Sequence, residues 1–398
     1  MCNICGICTF VGLITILDIT SINSSFSDSL FWRLLKLHTM KLKLVLFLLA
    51  FTLLSFAKNE VRTKVAIKEN QFFINGEITY KGRYWKNNKI EGLLFNSRMV
   101  QGIFDDLNPK TREKFVYPDT KTWDADRNTN EFVSHMEEWR KFGLLAFTLN
   151  LQGGSPVGYG NSSWINSAFD EKGELRTDYI NRLEKILNKA DELKMVVILG
   201  YFYFGQAQNL ENEQAIIHAT DNITNWILTK GYKNILIEIN NECNISYTHK
   251  ILQPARVSEL IERVQHTKKN GYHLLVSTSY GGGSVPDSSV VKASDYILIH
   301  GNGLNNPAQI TQLVESTRKV KGYKSKPIVF NEDDHFNFDS ESCNFVEAVK
   351  SYASWGYFDY RMKNEGFEDG YQSVPVDWGI NSERKKMFFN KLKEITTK

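Results

Sequence analysis

The chain has 398 residues, 42% hydrophobic and 23% charged, with a formal net charge of +3. That length allows one large domain or two ordinary ones. Basic and acidic residues nearly balance after residue 57, which removes the electrostatic footprint that a nucleic-acid partner requires.

Met40-Lys-Leu-Lys43 is a short basic start, followed by a nearly unbroken apolar run from Leu44 to Phe56. Ser55-Phe56-Ala57 places small residues at the −3 and −1 positions of a cleavage site. This order is that of a secretory signal peptide over 40–57, beginning at Met40, with 1–39 as an upstream extension foreign to the native chain. The competing reading takes 10–19 and 44–56 as two membrane-associated segments. Both fall short of the roughly 20 apolar residues that a spanning helix needs. The expectation is therefore a secreted or periplasmic protein without stable membrane insertion after cleavage. Of five cysteines, Cys2, Cys5 and Cys8 lie in the extension, with no fourth metal ligand nearby. Cys243 and Cys343 remain in the mature chain, where a disulfide is open but a free Cys243 thiol at the edge of the site is favoured.

Residues 58–69 read as a polar linker and 70–398 as one domain. Gln71 to Tyr80 predicts a β-hairpin turning at Asn75-Gly76, fit to plug the bottom of a barrel. Strand and helix patterns then alternate. Strands are expected at 90–95, 144–149, 195–201, 234–239, 272–278, 296–299, 327–330 and 356–360. Helices are expected at 128–142, 177–193 (capped by Thr177), 211–230, 254–268, 286–292, 306–319, 342–354 and 382–395. Eight strand-plus-helix units without a linker predict an α/β fold, a single-domain (β/α)8 TIM barrel with an N-terminal β-hairpin. A doubly wound open sheet would want a glycine-rich phosphate turn after the first strand, where Asn96-Ser-Arg98 stands instead.

Two stretches share one grammar. Ile235-Leu-Ile-Glu-Ile-Asn-Asn-Glu242 and Pro327-Ile-Val-Phe-Asn-Glu332 are apolar runs that deliver Asn-Glu at their C-terminal ends. Chemistry in parallel α/β proteins sits at those ends. Strands four and seven face each other across an eight-stranded barrel, so Glu242 and Glu332 are candidates for the two carboxyl groups that glycoside hydrolysis requires. His300 ends strand six, with Asn302 beyond it. Asn150 and Gln152 follow strand two, and Tyr201 ends strand three. Trp164 and Trp378, with Tyr159 and Tyr203, fall in C-terminal-face loops where sugar rings stack. Glu238, inside strand four, reads as a buried ion-pair or supporting partner.

Asn241-Glu242 with Glu332 resembles clan A glycoside hydrolases, including the cellulase family 5. The resemblance implies a retaining β-glycosidase on a (β/α)8 barrel that acts on a poly- or oligosaccharide without a cofactor. It implies Glu242 as acid/base, Glu332 as nucleophile and Asn241 as the donor to the sugar 2-hydroxyl. The chain departs from the family pattern and reads as a divergent branch. Cys243 stands where Pro follows Asn-Glu, the arginine near the end of strand two is absent, and strand three ends in Gly200-Tyr201 in place of His. The His-x-Tyr of strand six is His300-Gly-Asn302. Arg98, just past strand one, is the candidate replacement for the missing arginine.

Two other functions are weighed against this one. The losses of Arg and Tyr fit a non-catalytic carbohydrate-binding barrel. His300, Glu332, Asp333, Asp334 and His335 supply ligand types for a divalent-metal-dependent hydrolase or isomerase, though without a distinctive spacing. Sugar, linkage, endo or exo action and oligomeric state are not written in the sequence.

Overall fold

The computed structural model describes residues 37–41, 62–158 and 163–397, and these fall into two units divided at Val61/Arg62. Residues 37–41 are helical. The expected signal peptide lies almost wholly outside the described residues, as do Cys2, Cys5, Cys8 and Tyr159. No helix among the described residues is long and apolar enough to cross a membrane.

The second unit opens with β1 (Val65–Lys68), β2 (Gln71–Ile74) and β3 (Glu77–Ile78), an antiparallel three-stranded sheet. Asn75 and Gly76 both take positive φ, 53° and 82°, in the two-residue turn between β2 and β3, the geometry that a tight hairpin requires. Residues 62–69 are thus no linker throughout. β1 pairs along β2, and Asp191 anchors the stretch before it, accepting from the Thr63 backbone N at 2.6 Å and pairing with Arg62 at 3.1 Å. A small ribbon, β4 (Tyr84–Trp85) with β5 (Asn88–Lys89), follows.

Eight parallel strands alternate with eight helices thereafter. In chain order they are β6 (Asn96–Arg98), α1 (Ala125–Lys141), β7 (Ala146–Asn150), α2 (Thr177–Glu192), β8 (Val196–Phe202), α3 (Glu213–Lys230), β9 (Ile235–Asn240), α4 (Val257–His266), β10 (Leu275–Ser277), α5 (Ser288–Ala293), β11 (Ile297–His300), α6 (Ala308–Lys319), β12 (Ile328–Glu332), α7 (Asn344–Lys350), β13 (Gly356–Tyr357) and α8 (Glu383–Thr396). Six strands form one ladder in the order β10-β9-β8-β7-β6-β13, and β11 pairs with β12. Phe330 N donates to Ser354 O, which joins β12 to the entry of β13. On the other side Asp295 joins β11 to β10, its N–H on Val276 O and its carboxylate accepting from Val276 N, both at 2.8 Å. The sheet closes as a (β/α)8 barrel.

Strand parity builds the layers. Ala146, Val196, Ile198, Leu236, Leu298 and Val329 point inward with Leu94, and Val65 and Phe72 of the hairpin pack on them. Phe147, Leu149, Val197, Leu199, Ile237 and Ile299 point outward to the helices. The hairpin does plug the barrel. Above the apolar floor the inward positions turn polar, with Asn96, Arg98, Thr148, Asn150, Glu238, His300 and Asn331 all buried.

The first barrel strand lies later than the apolar run at 90–95. Leu94 and Phe95 are buried in the inner and outer cores, but the ladder pairs Asn96–Arg98 with Ala146–Thr148. Hydrophobicity marks burial, and here the hydrogen-bonded segment carries the polar lining. Thr177 is the first helical residue of α2 and does not cap it; Arg176 holds the cap position without a side-chain bond. Asp124, Asn212 and Ser382 do cap α1, α3 and α8 through their side chains.

Candidate active site

Parity carries Arg98, Glu238 and His300 to the C-terminal mouth of the barrel, and Asn241 and Glu332 join them where the alternation breaks at the strand ends, the β11–β12 register shifting between Ile299 and His300. Glu332 is the deeper carboxylate. Its Oε2 lies 2.8 Å from Arg98 Nε, and its Oε1 accepts from Asn302 Nδ2 at 2.7 Å. Arg98 spreads its guanidinium over three strands, with Nη2 donating to Asn241 Oδ1 at 2.8 Å and Nη1 4.0 Å from Glu238 Oε2. Arg98, on β6, thus makes the contact to Glu332 expected of a replacement for the missing arginine. Glu238 is the buried partner in that network and also accepts from Asn331 Nδ2 at 3.3 Å.

Glu242 sits nearer the rim, its side chain 13% exposed against 5% for Glu332. Its backbone takes a φ of 52°, a left-handed conformation strained for a residue with a side chain. Ser279, just past β10, holds the turn there. Its hydroxyl accepts from Glu242 N and its carbonyl from Cys243 N, each at 2.9 Å. His300 Nδ1 is shared by the carboxylates, 3.0 Å from Glu242 Oε1 and 3.7 Å from Glu332 Oε2. One oxygen of each glutamate and a ring nitrogen of His300 lie within 4.8 Å of one another.

Such a cluster loses its protons in steps that belong to the group. Burial pushes the Glu332 carboxyl above the usual range and the Glu242 charge adds to it, against the pull of Arg98, His300 and Asn302. Burial also acts on Glu242, but the hydrogen bond and charge of His300, the charge of Arg98 and the backbone N–H of Gly282 outweigh it and hold its carboxyl low. For His300, burial opposes the charge, and the two carboxylates overcome that and raise its pKa.

Two glycine turns and a buried tyrosine support the site from its loops. Gly282 lies between its neighbours because a Cβ there would stand 2.3 Å from Asn302 O. The Gly281-Gly282-Gly283 loop thus bridges Glu242 and Asn302 by close backbone approach. Tyr203, named as a stacking ring, is instead buried, and burial together with the Glu332 charge raises its phenol well above its ordinary value. A Cβ at Gly154 would lie 2.0 Å from that ring, so the Gly153-Gly154 turn is where the backbone passes Tyr203.

Four of the expected sugar-binding residues are placed elsewhere or already engaged. Tyr201 points outward and its hydroxyl meets Thr224 Oγ1 of α3 at 3.1 Å, because parity sends position 201 to the helix layer. Trp378 is buried, stacks on Tyr371 and donates Nε1 to Asn128 at 3.1 Å. Trp164 is buried against Phe115 in the outer core. Gln152 ties two loops together, with Nε2 on Ser167 Oγ at 3.0 Å and Oε1 accepting from Tyr203 N at 3.3 Å. Asn150 remains inward and buried.

The five candidate metal ligands fall into two groups, each with its donor atoms close enough together to hold an ion. Glu332 and His300 gather with Glu242, whereas Asp333, Asp334 and His335 form a separate group. Asp333 is consumed by protein donors, Asn344 Nδ2 at 3.0 Å, Trp355 Nε1 at 2.9 Å and His335 Nδ1 at 2.7 Å. Cys243 and Cys343 are both buried free thiols, so no disulfide joins them.

The sequence matches no family profile and no curated protein. Solved structures do share its fold. An endo-1,4-beta-mannanase from Rhizomucor miehei superposes with a TM-score of 0.52 at 11% identity, over 84% of this chain and 99% of that one. A glycoside hydrolase family 5 enzyme from Prevotella bryantii B14 does so with a TM-score of 0.50 at 11% identity, over 77% and 96%. At such identity the likeness is one of fold, and it agrees with the barrel expected from the alternating pattern.

Proposed function

We propose that this chain is a secreted retaining glycoside hydrolase that cleaves O-glycosidic bonds of a poly- or oligosaccharide with Glu242 and Glu332. The observation that carries the reading is the convergence of the two glutamates at the mouth of the barrel, one oxygen of each within 4.8 Å of the other. That spacing suits direct attack by one carboxylate better than a water held between the two.

Glu332 is placed as nucleophile. Asn302 Nδ2 donates to one of its oxygens and the Arg98 guanidinium ion-pairs with the other, which orients the carboxylate and stabilises its charged form. In the first step its oxygen bonds the anomeric carbon, the glycosidic C–O bond breaks, and Glu242 gives its proton to the departing oxygen. In the second step water attacks the anomeric carbon, loses its proton to Glu242, and frees the Glu332 carboxylate. Glu242, nearer the rim, is placed to meet leaving group and water. It must be protonated when sugar is bound. A bound sugar desolvates it, which favours the neutral form, and His300 is in position to pass it the proton. Asn241 supplies an amide beside the pair. The low carboxyl of Glu242 beside the raised one of Glu332 favours a second reading in which the two glutamates exchange roles.

Hydrolysis of a broad panel of polysaccharides and aryl glycosides, wild type beside Glu332→Ala and Glu242→Gln, tests the activity. Release by wild type that falls by at least about 10³-fold in Glu332→Ala is the expected outcome. Full activity in Glu332→Ala would refute the proposal. Glycan binding without turnover would favour the binding barrel, and activity abolished by chelation would favour the metal hydrolase. Secretion is tested by the N-terminus of the exported protein, which should be Lys58.

A further inference from the structure

Between β7 and β9 the inward row of side chains is interrupted at Gly200 of β8. Asn150, Gly200 and Glu238 are laddered side by side on β7, β8 and β9. Position 200 has no side chain, and it cannot have one in this arrangement. A Cβ there would stand 2.3 Å from Asn150 Oδ1 and 2.7 Å from its Cγ. Asn150 lies across the glycine, so its amide leans into the space that a larger residue on β8 would fill.

That amide is 1% exposed, and neither Nδ2 nor Oδ1 has a hydrogen-bond partner. Around the same mouth Asn241 Nδ2, Glu238 Oε1 and His300 Nε2 are also buried without partners. Buried polar groups are normally satisfied, and each one that is not calls for a ligand or water. A cluster offering both donors and acceptors, with the Arg98 charge already faced by Glu332 and Glu238, matches a neutral polyol and not an anion. An amide presents one donor and one acceptor face on a rigid plane. Its natural complement is a pair of adjacent hydroxyls, one accepting from Nδ2 and one donating to Oδ1.

We infer that Asn150, seated on Gly200, is a specificity-determining residue that reads two neighbouring hydroxyls of the sugar ring bound beside Glu332. This rests on the glycosidase reading above and names the group that selects its substrate. Gly200 acts through Asn150, as a positioning residue.

The test uses an aryl glycoside that wild type hydrolyses, together with its monodeoxy analogues, on wild type, Asn150→Ala and Gly200→Ala. Wild type should reject one or two monodeoxy analogues strongly, because a site built around a hydroxyl leaves its own polar atoms unpaired when that hydroxyl is missing. Asn150→Ala should lose about 100-fold in kcat/KM on the parent glycoside and under 5-fold on those same analogues. Gly200→Ala, which displaces the amide without removing it, should reproduce the pattern, and thermal unfolding should show both variants folded. Equal losses on parent and every analogue, or a loss under 3-fold on the parent, would overturn the inference and leave the glycosidase reading standing. If wild type binds oligosaccharides without hydrolysing them, the same comparison is made by titration calorimetry on the tightest of them. Affinity lost in Asn150→Ala supports the inference while the hydrolase reading fails. A wild-type chain that neither hydrolyses nor binds any glycan of the panel overturns both.

Discussion

Arg98 is fully buried and feels the charges of Glu332, Glu238 and Glu242, forming an ion pair with Glu332 at 2.8 Å and lying 4.0 Å from Glu238. Removing it strands buried negative charge, so Arg98→Met should destabilise the fold by about 3–5 kcal/mol in chemical denaturation. Arg98→Lys keeps the charge and loses the fork. It should fold and still lose about 10²-fold in kcat, since one ammonium cannot hold both Glu332 and Asn241. His300 sets the other balance. Its hydrogen bond and charge hold the Glu242 carboxyl low, so removing them in His300→Asn lets that carboxyl rise. If Glu242 must be protonated to donate, the alkaline limb of kcat/KM moves to higher pH in this variant; a limb that stays put or moves down would assign it to another group. At this scale the sequence was legible where a strand end names its residue, as at Glu242, Glu332 and His300. It was silent on Ser279, whose contribution comes through contacts to the Glu242-Cys243 backbone. It misled at Trp378 and Trp164, because an aromatic in a loop reads alike whether it lines a cleft or fills the space beneath one.

β9 and β12 deliver the carboxylates, and their shared pattern of apolar run followed by Asn-Glu was visible without structure. Element number and order were equally legible, since eight alternations of period 2 and period 3.6 leave few closures. The register of the first strand was not, because the apolar run at 90–95 supplies core on both sides of the sheet while Asn96–Arg98 makes the ladder. Nor was the seam between β10 and β11, where Asp295 replaces part of the ladder with its own carboxylate. That carboxylate also accepts from Gln265 Nε2 at 2.9 Å. Asp295→Ala should therefore cost about 1–3 kcal/mol, as the buried Val276 N–H loses its acceptor, with hydrogen exchange rising first in β10 and β11. Protection unchanged there would show that the seam is held by packing alone.

For the molecule as a whole, the barrel divides the labour between its ends. The floor is sealed by Phe72 and Val65 of the hairpin on the inner apolar layer, and the polar layers above it belong to the site. Phe72→Ala should lower unfolding free energy by about 3–5 kcal/mol while leaving KM within 2-fold, since the cavity opens at the far end from Glu332. A large change in KM with full stability would mean that floor and mouth are coupled.

The measurement that most directly tests the two-glutamate account is azide rescue on an activated aryl glycoside. In Glu242→Ala the Glu332 ester still forms, and azide should displace it to give a glycosyl azide with the substrate's own anomeric configuration. In Glu332→Ala azide takes the nucleophile's place, expels the phenolate directly, and should give the opposite anomer. The reverse assignment of anomers would exchange the two roles, and no azide adduct from either variant of an active enzyme would contradict the account.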